Sequence, residues 1–128
     1  MKGWSLLAAV LLALLAGCGY VDDNPRAVRI VAQAYLDSLR KHEAAAVCRV
    51  LAPEVQAVIA VGGTCEANLP AHWQRAYPAL RVGGVREVAG PSGNPRFEVT
   101  VEGRRGVDLT LGRYGSIWHV VDGGGLIH

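Results

Sequence analysis

The side chains able to do chemistry are few and dispersed. The chain has 128 residues, with 11 carboxylates and 4 histidines. Proton-transfer catalysis needs a carboxylate or imidazole beside a donor that steadies an oxyanion. Asp37 stands off the apolar stripe of its segment. Glu98, Glu102 and Asp108 alternate with apolar residues, which sends them to the wet faces of their strands. His119 alternates with Trp118 and Val120 and is expected on the opposite face, at the surface unless it is catalytic. His72, beside Trp73, is a surface residue or lines a pocket mouth. His42, His72, His119 and His128 show none of the close spacings that pair metal ligands, so neither metal nor cofactor is expected. Val61-Gly62-Gly63-Thr64 lacks the lysine of a phosphate loop. The basic turn Gly103-Arg104-Arg105-Gly106 is either solvated or set against anionic lipid headgroups. Trp73, Tyr77, Phe97 and Trp118 read as core aromatics or as a ligand cage. Tyr35, Trp73, Phe97 and Trp118 are the candidate pocket residues.

A different chemistry belongs to Cys18. Lys2 provides a short positive region, and Trp4 to Ala16 follows without a charge. That length fits the ~7–15 apolar residues of a signal peptide and falls short of the ~20 needed to span a bilayer. The run ends Leu15-Ala16-Gly17-Cys18, which looks like the lipobox of bacterial lipoproteins. There the thiol takes a diacylglycerol, the chain is cleaved before the cysteine, and the freed amine is commonly acylated, often with palmitate. Each buried methylene adds ~0.8 kcal/mol, so several chains on one residue hold firmly. An ordinary secretory signal and an uncleaved anchor helix are the competing readings. The expectation is residues 1–17 as signal peptide, 18–24 as tether, and 25–128 as one domain. The location implied is the extracytoplasmic face of a bacterial cell membrane, with the membrane as partner through lipid on Cys18.

Export puts Cys48 and Cys65 in an oxidising compartment. Their spacing suits neither a redox C-x-x-C nor a zinc ribbon. A structural disulfide is expected, with a reactive thiol as the alternative. The net charge of +2 is scattered, which argues against a nucleic-acid or polyanionic partner.

The elements that must position these groups fall into two halves. Asn24-Pro25 reads as an N-cap with proline at the first helical position. Val28, Val31, Ala32, Tyr35, Leu36 and Leu39 recur at helical spacing, predicting a helix over 25–41. After a corner at His42-Glu43, a shorter helix runs from Ala44 through Leu51. Another starts at Pro53, carries Val55, Val58 and Ile59 as its apolar residues, and ends at Gly62-Gly63. Thr64 caps a further segment that Pro70 must break. Beyond Pro78 the pattern alternates. A strand lies within Leu80–Val88, with a bulge at Gly83-Gly84. A second carries Phe97, Val99 and Val101, a third Val107, Leu109 and Leu111, and a last one runs from Ile117 to Val121. Gly123-Gly124-Gly125 is expected to open a loose tail.

Helices followed by a meander of strands imply an α+β domain. The order resembles the nuclear-transport-factor-2-like (cystatin-like, polyketide-cyclase-like) superfamily, and most of all its small secreted lipoproteins. The residues that carry the likeness are Ala34-Tyr35-Leu36-Asp37-Ser38-Leu39 before a corner, Ala44-Ala45-Ala46-Val47-Cys48 with Leu51-Ala52-Pro53, Cys65-Glu66, and Gly115-Ser116-Ile117-Trp118-His119-Val120. The family's corner usually carries Gly-Asp, and here it reads Lys41-His42-Glu43. The resemblance implies N-terminal helices in the concave face of a curved, cone-shaped antiparallel sheet. Its members include enzymes, ligand binders and adaptors, so the fold alone names no activity. The expected function is a non-enzymatic binding or adaptor domain for a partner protein or a small apolar ligand. An isomerase- or cyclase-like enzyme and a purely structural envelope protein are the alternatives.

Overall fold

A computed structural model describes residues 24–128. The expected signal peptide, its cleavage site and Cys18 lie outside the described residues. Helix α1 spans Asn24–Arg40 and already includes Asn24. Its buried stripe is Val28, Ala32, Tyr35, Leu36 and Leu39. These positions share one face at 3.6 residues per turn.

The corner after α1 is tight. Lys41, His42 and Glu43 donate backbone hydrogen bonds to Asp37, Leu39 and Ser38 at 2.9–3.1 Å. His42 takes a left-handed conformation, φ 53°, which usually falls to glycine or asparagine. Such a residue costs on the order of 1–3 kcal/mol unless its surroundings hold it. Here the ring is held. It meets Trp73 edge-on at 4.7 Å and Tyr77 at 5.8 Å, and its Nε2–H donates to the Gln74 carbonyl at 3.0 Å. A side chain that packs thus holds a conformation that glycine adopts freely.

Helix α2 (Ala44–Val50) and helix α3 (Pro53–Ile59) follow, the latter with proline in its first turn. Helix α4 (Cys65–Asn68) is capped by Thr64, whose Oγ1 accepts from the Ala67 N–H at 3.1 Å. Pro70 sits in a single 3₁₀ turn, Leu69–Ala71. Cys48 and Cys65 form a disulfide with Cα atoms 6.1 Å apart, tying α2 to α4.

Strands β1 (Arg81–Val88), β2 (Arg96–Glu102), β3 (Asp108–Tyr114) and β4 (Ile117–Asp122) form an open antiparallel sheet in sequence order. The fold is therefore α+β, four helices packed against four strands. The register steps from Val82↔Val101 to Val85↔Val99, placing the bulge at Gly83-Gly84 as the glycines predict. One face carries Phe97, Val99, Val101, Leu109, Leu111, Trp118 and Val120, all buried. Helix α1 packs against all four strands and joins this core. At the β1 edge, the Gln33 carboxamide accepts from Val82 N–H at 3.0 Å and donates to Leu80 C=O at 3.2 Å. It fills the place of a neighbouring strand's peptide. At the other edge, Leu51 bridges Val120, and Ala52 N–H donates to the Val120 carbonyl at 2.8 Å.

The chain after β4 differs from the loose tail expected. Gly124 and Gly125 have φ of 68° and 76°, and this reversal turns the chain back onto the domain. Leu126 is buried, Ile127 bridges Trp73, and His128 N–H donates to the His72 carbonyl at 2.7 Å. The glycines make the turn, and Leu126 supplies the apolar area that holds the returning segment.

Among the described residues, no helix is long and apolar enough to cross a membrane.

Candidate functional site

The returning C-terminal segment makes one wall of an apolar pocket of about 330 Å³. That volume stands near the low end of the ~300–1,000 Å³ typical of ligand sites. Helix α3 supplies Val55, Val58 and Ile59, the segment before it supplies Leu51, and the returning segment supplies Ile127. Tyr35 borders the pocket from α1, and His72 and His128 stand at it from the two paired chain segments. Val58 is 73% exposed and nearby Val61, just beyond α3, is 79% exposed. Of Val55, Val58 and Ile59 in α3, Val58 is thus the exposed one. The helix has only two turns, and Ile59 alone among its residues is fully buried. An exposed valine bordering an apolar pocket extends the apolar surface toward solvent.

The polar groups of the pocket are few. The Tyr35 hydroxyl donates to the Gly123 carbonyl over a long 3.4 Å. Burial pushes this phenol well above the usual tyrosine range, and the Tyr77 and Asp122 charges add to the effect. The His72 Nδ1–H donates to the His128 carbonyl, which fixes the ring's tautomer. Beneath the returning segment, the Tyr77 hydroxyl accepts from Gln74 N–H at 2.9 Å and donates to the Leu126 carbonyl. Burial raises the Tyr77 phenol as well. No Asp or Glu side chain lines the pocket. Its chemical capacity is to enclose an apolar group, with Tyr35, itself buried, and His72 and His128 at its border.

The four candidate pocket aromatics separate. Tyr35 borders the pocket. Trp73 is half-buried, with His42 against its ring. Phe97 and Trp118 are buried in the core and meet edge-to-face at 5.2 Å. The carboxylates lie elsewhere. Asp37 is exposed and accepts from Gln33 Nε2 at 3.0 Å. Glu98 pairs with Arg86, and Glu102 with Arg81 at 3.7 Å. Asp108 is exposed. His119 is half-buried on the sheet face away from α1, edge-on to Tyr114. Among the described residues, no cluster of three His, Cys, Asp or Glu side chains is placed to hold a metal.

Ile127 was not singled out by the sequence reading. The signal was present: two apolar residues, Leu126-Ile127, follow the glycines in an otherwise polar end.

Comparison with protein-family models, with curated proteins and with solved structures yields no match.

Proposed function

We propose that this chain is an extracytoplasmic lipoprotein, held on a bacterial membrane by acyl chains on Cys18, whose domain binds a small apolar ligand without turning it over. The observation that carries the binding reading is the pocket of about 330 Å³ walled by Leu51, Val55, Ile59 and Ile127, with the Tyr35 hydroxyl at its border. An apolar site with one or two polar groups has the usual composition of a ligand pocket. The Leu15-Ala16-Gly17-Cys18 sequence supports the anchor. The Cys48–Cys65 bond suits an oxidising compartment. We read the sheet over α1 as a nuclear-transport-factor-2-like cone, with the pocket at the end nearest the returning segment. An apolar side chain of a partner protein would fit the same walls.

Binding is tested with a lipophilic fluorescent probe on the full chain. Saturable binding should appear, and Val55→Trp should weaken it at least about tenfold by filling the space. Unchanged probe affinity in Val55→Trp would move the ligand elsewhere. Measured turnover of an isomerase or cyclase substrate would replace the binding role with the enzymatic one. Mass spectrometry of the N-terminal peptide from the native membrane tests the anchor. The peptide should begin at Cys18 and carry acyl mass, and Cys18→Ser should remain unprocessed. An unmodified Cys18 would remove the anchor.

A further inference from the structure

The sheet face away from α1 carries a second group of functional side chains. Arg96, Gly112 and His119 are register partners across β2, β3 and β4, so they form one row. Directly opposed residues of an antiparallel pair share a face. Tyr114 lies two residues beyond Gly112 on β3 and shares that face too. The row has a gap at its centre, because Gly112 has no side chain. Arg96 fills that gap. A Cβ at position 112 would stand 3.2 Å from its Nη1 and 3.3 Å from its Cζ, so glycine lets the guanidinium lie flat on β3.

Glu54 joins the group from another direction. Leu51 and Ala52 run along the edge of β4, and α3 starts at Pro53. Its first turn therefore rises beside the strand edge. The Glu54 side chain accepts a hydrogen bond from the Tyr114 hydroxyl. That bond holds the Glu54 carboxyl below the usual carboxylate range, with Arg96 and His119 adding smaller attractions. His119 meets the Tyr114 ring edge-on, with centroids 5.5 Å apart. Its Nδ1 is buried and without a hydrogen-bond partner. An orphaned buried nitrogen is costly and calls for an explanation. Among the described residues Arg96 forms no salt bridge.

We propose that Arg96, Tyr114 and His119 form a binding site for a carboxylate group of a ligand, which the chain's own Glu54 occupies when the ligand is absent. A guanidinium lying flat, a phenol and an imidazole on adjacent strands are a donor set suited to a carboxylate. The class follows from the occupant, since the group now seated on Tyr114 is itself a carboxylate. Glu54 is exposed at a helix start, so its side chain can swing into water without opening the core. When it leaves, Arg96 is the one fixed charge among the four side chains, and the site becomes cationic. This site lies on the sheet face away from α1, apart from the apolar pocket.

The test is an NMR titration of the detergent-solubilised full chain, following the His119 ring protons. Acetate and N-acetylglycine are the probes, the second standing for a peptide C-terminus. In Glu54→Gln the competing charge is gone while a hydrogen-bond acceptor for Tyr114 remains. Saturable shifts at His119 should appear there at least about tenfold more tightly than in the parent chain. Adding Arg96→Gln to that variant should weaken binding by at least about the same factor, and Arg96→Lys should restore part of it. Tighter binding of N-acetylglycine than of acetate would assign the ligand to a peptide terminus, and equal binding to a free small acid. The absence of saturable shifts in Glu54→Gln, or shifts that persist unchanged in Glu54→Gln/Arg96→Gln, would overturn the proposal. Glu54 would then be only a clip between α3 and the sheet. Thermal melts of each variant separate lost binding from lost fold.

Discussion

The Tyr35 hydroxyl rests on Gly123, 3.4 Å from its carbonyl oxygen, and a Cβ at position 123 would stand only 2.4 Å from the phenol oxygen. A flexible surface side chain would move aside from such a contact. Tyr35 has no exposed surface and is locked in the core beneath the sheet, so it has little room to move. Gly123→Ala should therefore destabilise the domain by about 1–3 kcal/mol, the cost of overpacking. It should also loosen the segment carrying Leu126 and Ile127, and so weaken the pocket wall. A denaturant melt and probe binding in one variant check both effects. Unchanged stability would mean that the ring has space the packing does not show.

The disulfide joins helices that have little else to hold them together. Helix α4 is only one turn long, and Cys65 is its one buried residue. The bond spans 17 residues, a loop for which the chain-entropy model gives roughly 3 kcal/mol. Replacing both cysteines by alanine should cost about 2–5 kcal/mol. Hydrogen exchange should rise first at α4 and the 3₁₀ turn after it, with β2 and β3 least affected. Uniform exchange across the domain would mean that the bond supports the whole fold rather than this corner.

Much of the fold was legible because periodicity marks it. The 3.6 spacing in α1 and the alternation in β2 and β3 match buried faces. The bulge at Gly83-Gly84 and the Thr64 cap also follow from local chemistry. The parts not legible depend on distant contacts. Val55, Val58 and Ile59 are all apolar in the sequence, and spacing alone does not tell that Ile59 is buried while Val58 is exposed. His42 takes a left-handed turn because of Trp73 and Tyr77, about 30 residues away. The convergence of Glu54 with Arg96 and Tyr114 depends on how Leu51 meets β4, which no local pattern encodes. The pocket depends on the returning C-terminal segment, and only Leu126-Ile127 hinted at it.

Trp118 and Phe97 are core residues, and substitution separates them from the sheet's wet face. Trp118 is 4% exposed and meets Phe97 edge-to-face. Trp118→Ala should cost ~3–5 kcal/mol in a denaturant melt. Asp108→Ala should change stability by less than about 0.5 kcal/mol, as an exposed residue of its type usually does. Glu98→Ala loses its pairing with Arg86, but exposed pairs are worth little, at most about 1 kcal/mol. A small loss in Trp118→Ala would mean that the indole borders open space rather than packed side chains.

Alkaline pH should unfold the domain through its buried phenols. In the unfolded chain a tyrosine loses its proton near pH 10. In the folded domain burial holds Tyr35 protonated well above that, with the Tyr77 and Asp122 charges adding to the effect. Tyr77 is raised in the same direction by its own burial. Above pH 10 the unfolded state therefore binds fewer protons than the folded one, so unfolding free energy falls as pH rises. The contribution is fully present below pH ~10 and declines by up to ~1.4 kcal/mol per pH unit for each phenol that stays fully protonated in the fold. Melting temperature should hold near neutrality and drop steeply above that point, with the tyrosinate absorbance of Tyr35 and Tyr77 appearing only as the structure is lost. Tyr35→Phe removes one such group and gives up only a long hydrogen bond to Gly123. Its stability at neutral pH should change little, and its decline above pH 10 should be shallower. An equally steep decline in Tyr35→Phe, or tyrosinate absorbance from Tyr35 in the folded domain near pH 10, would show that this phenol is not shut away from water.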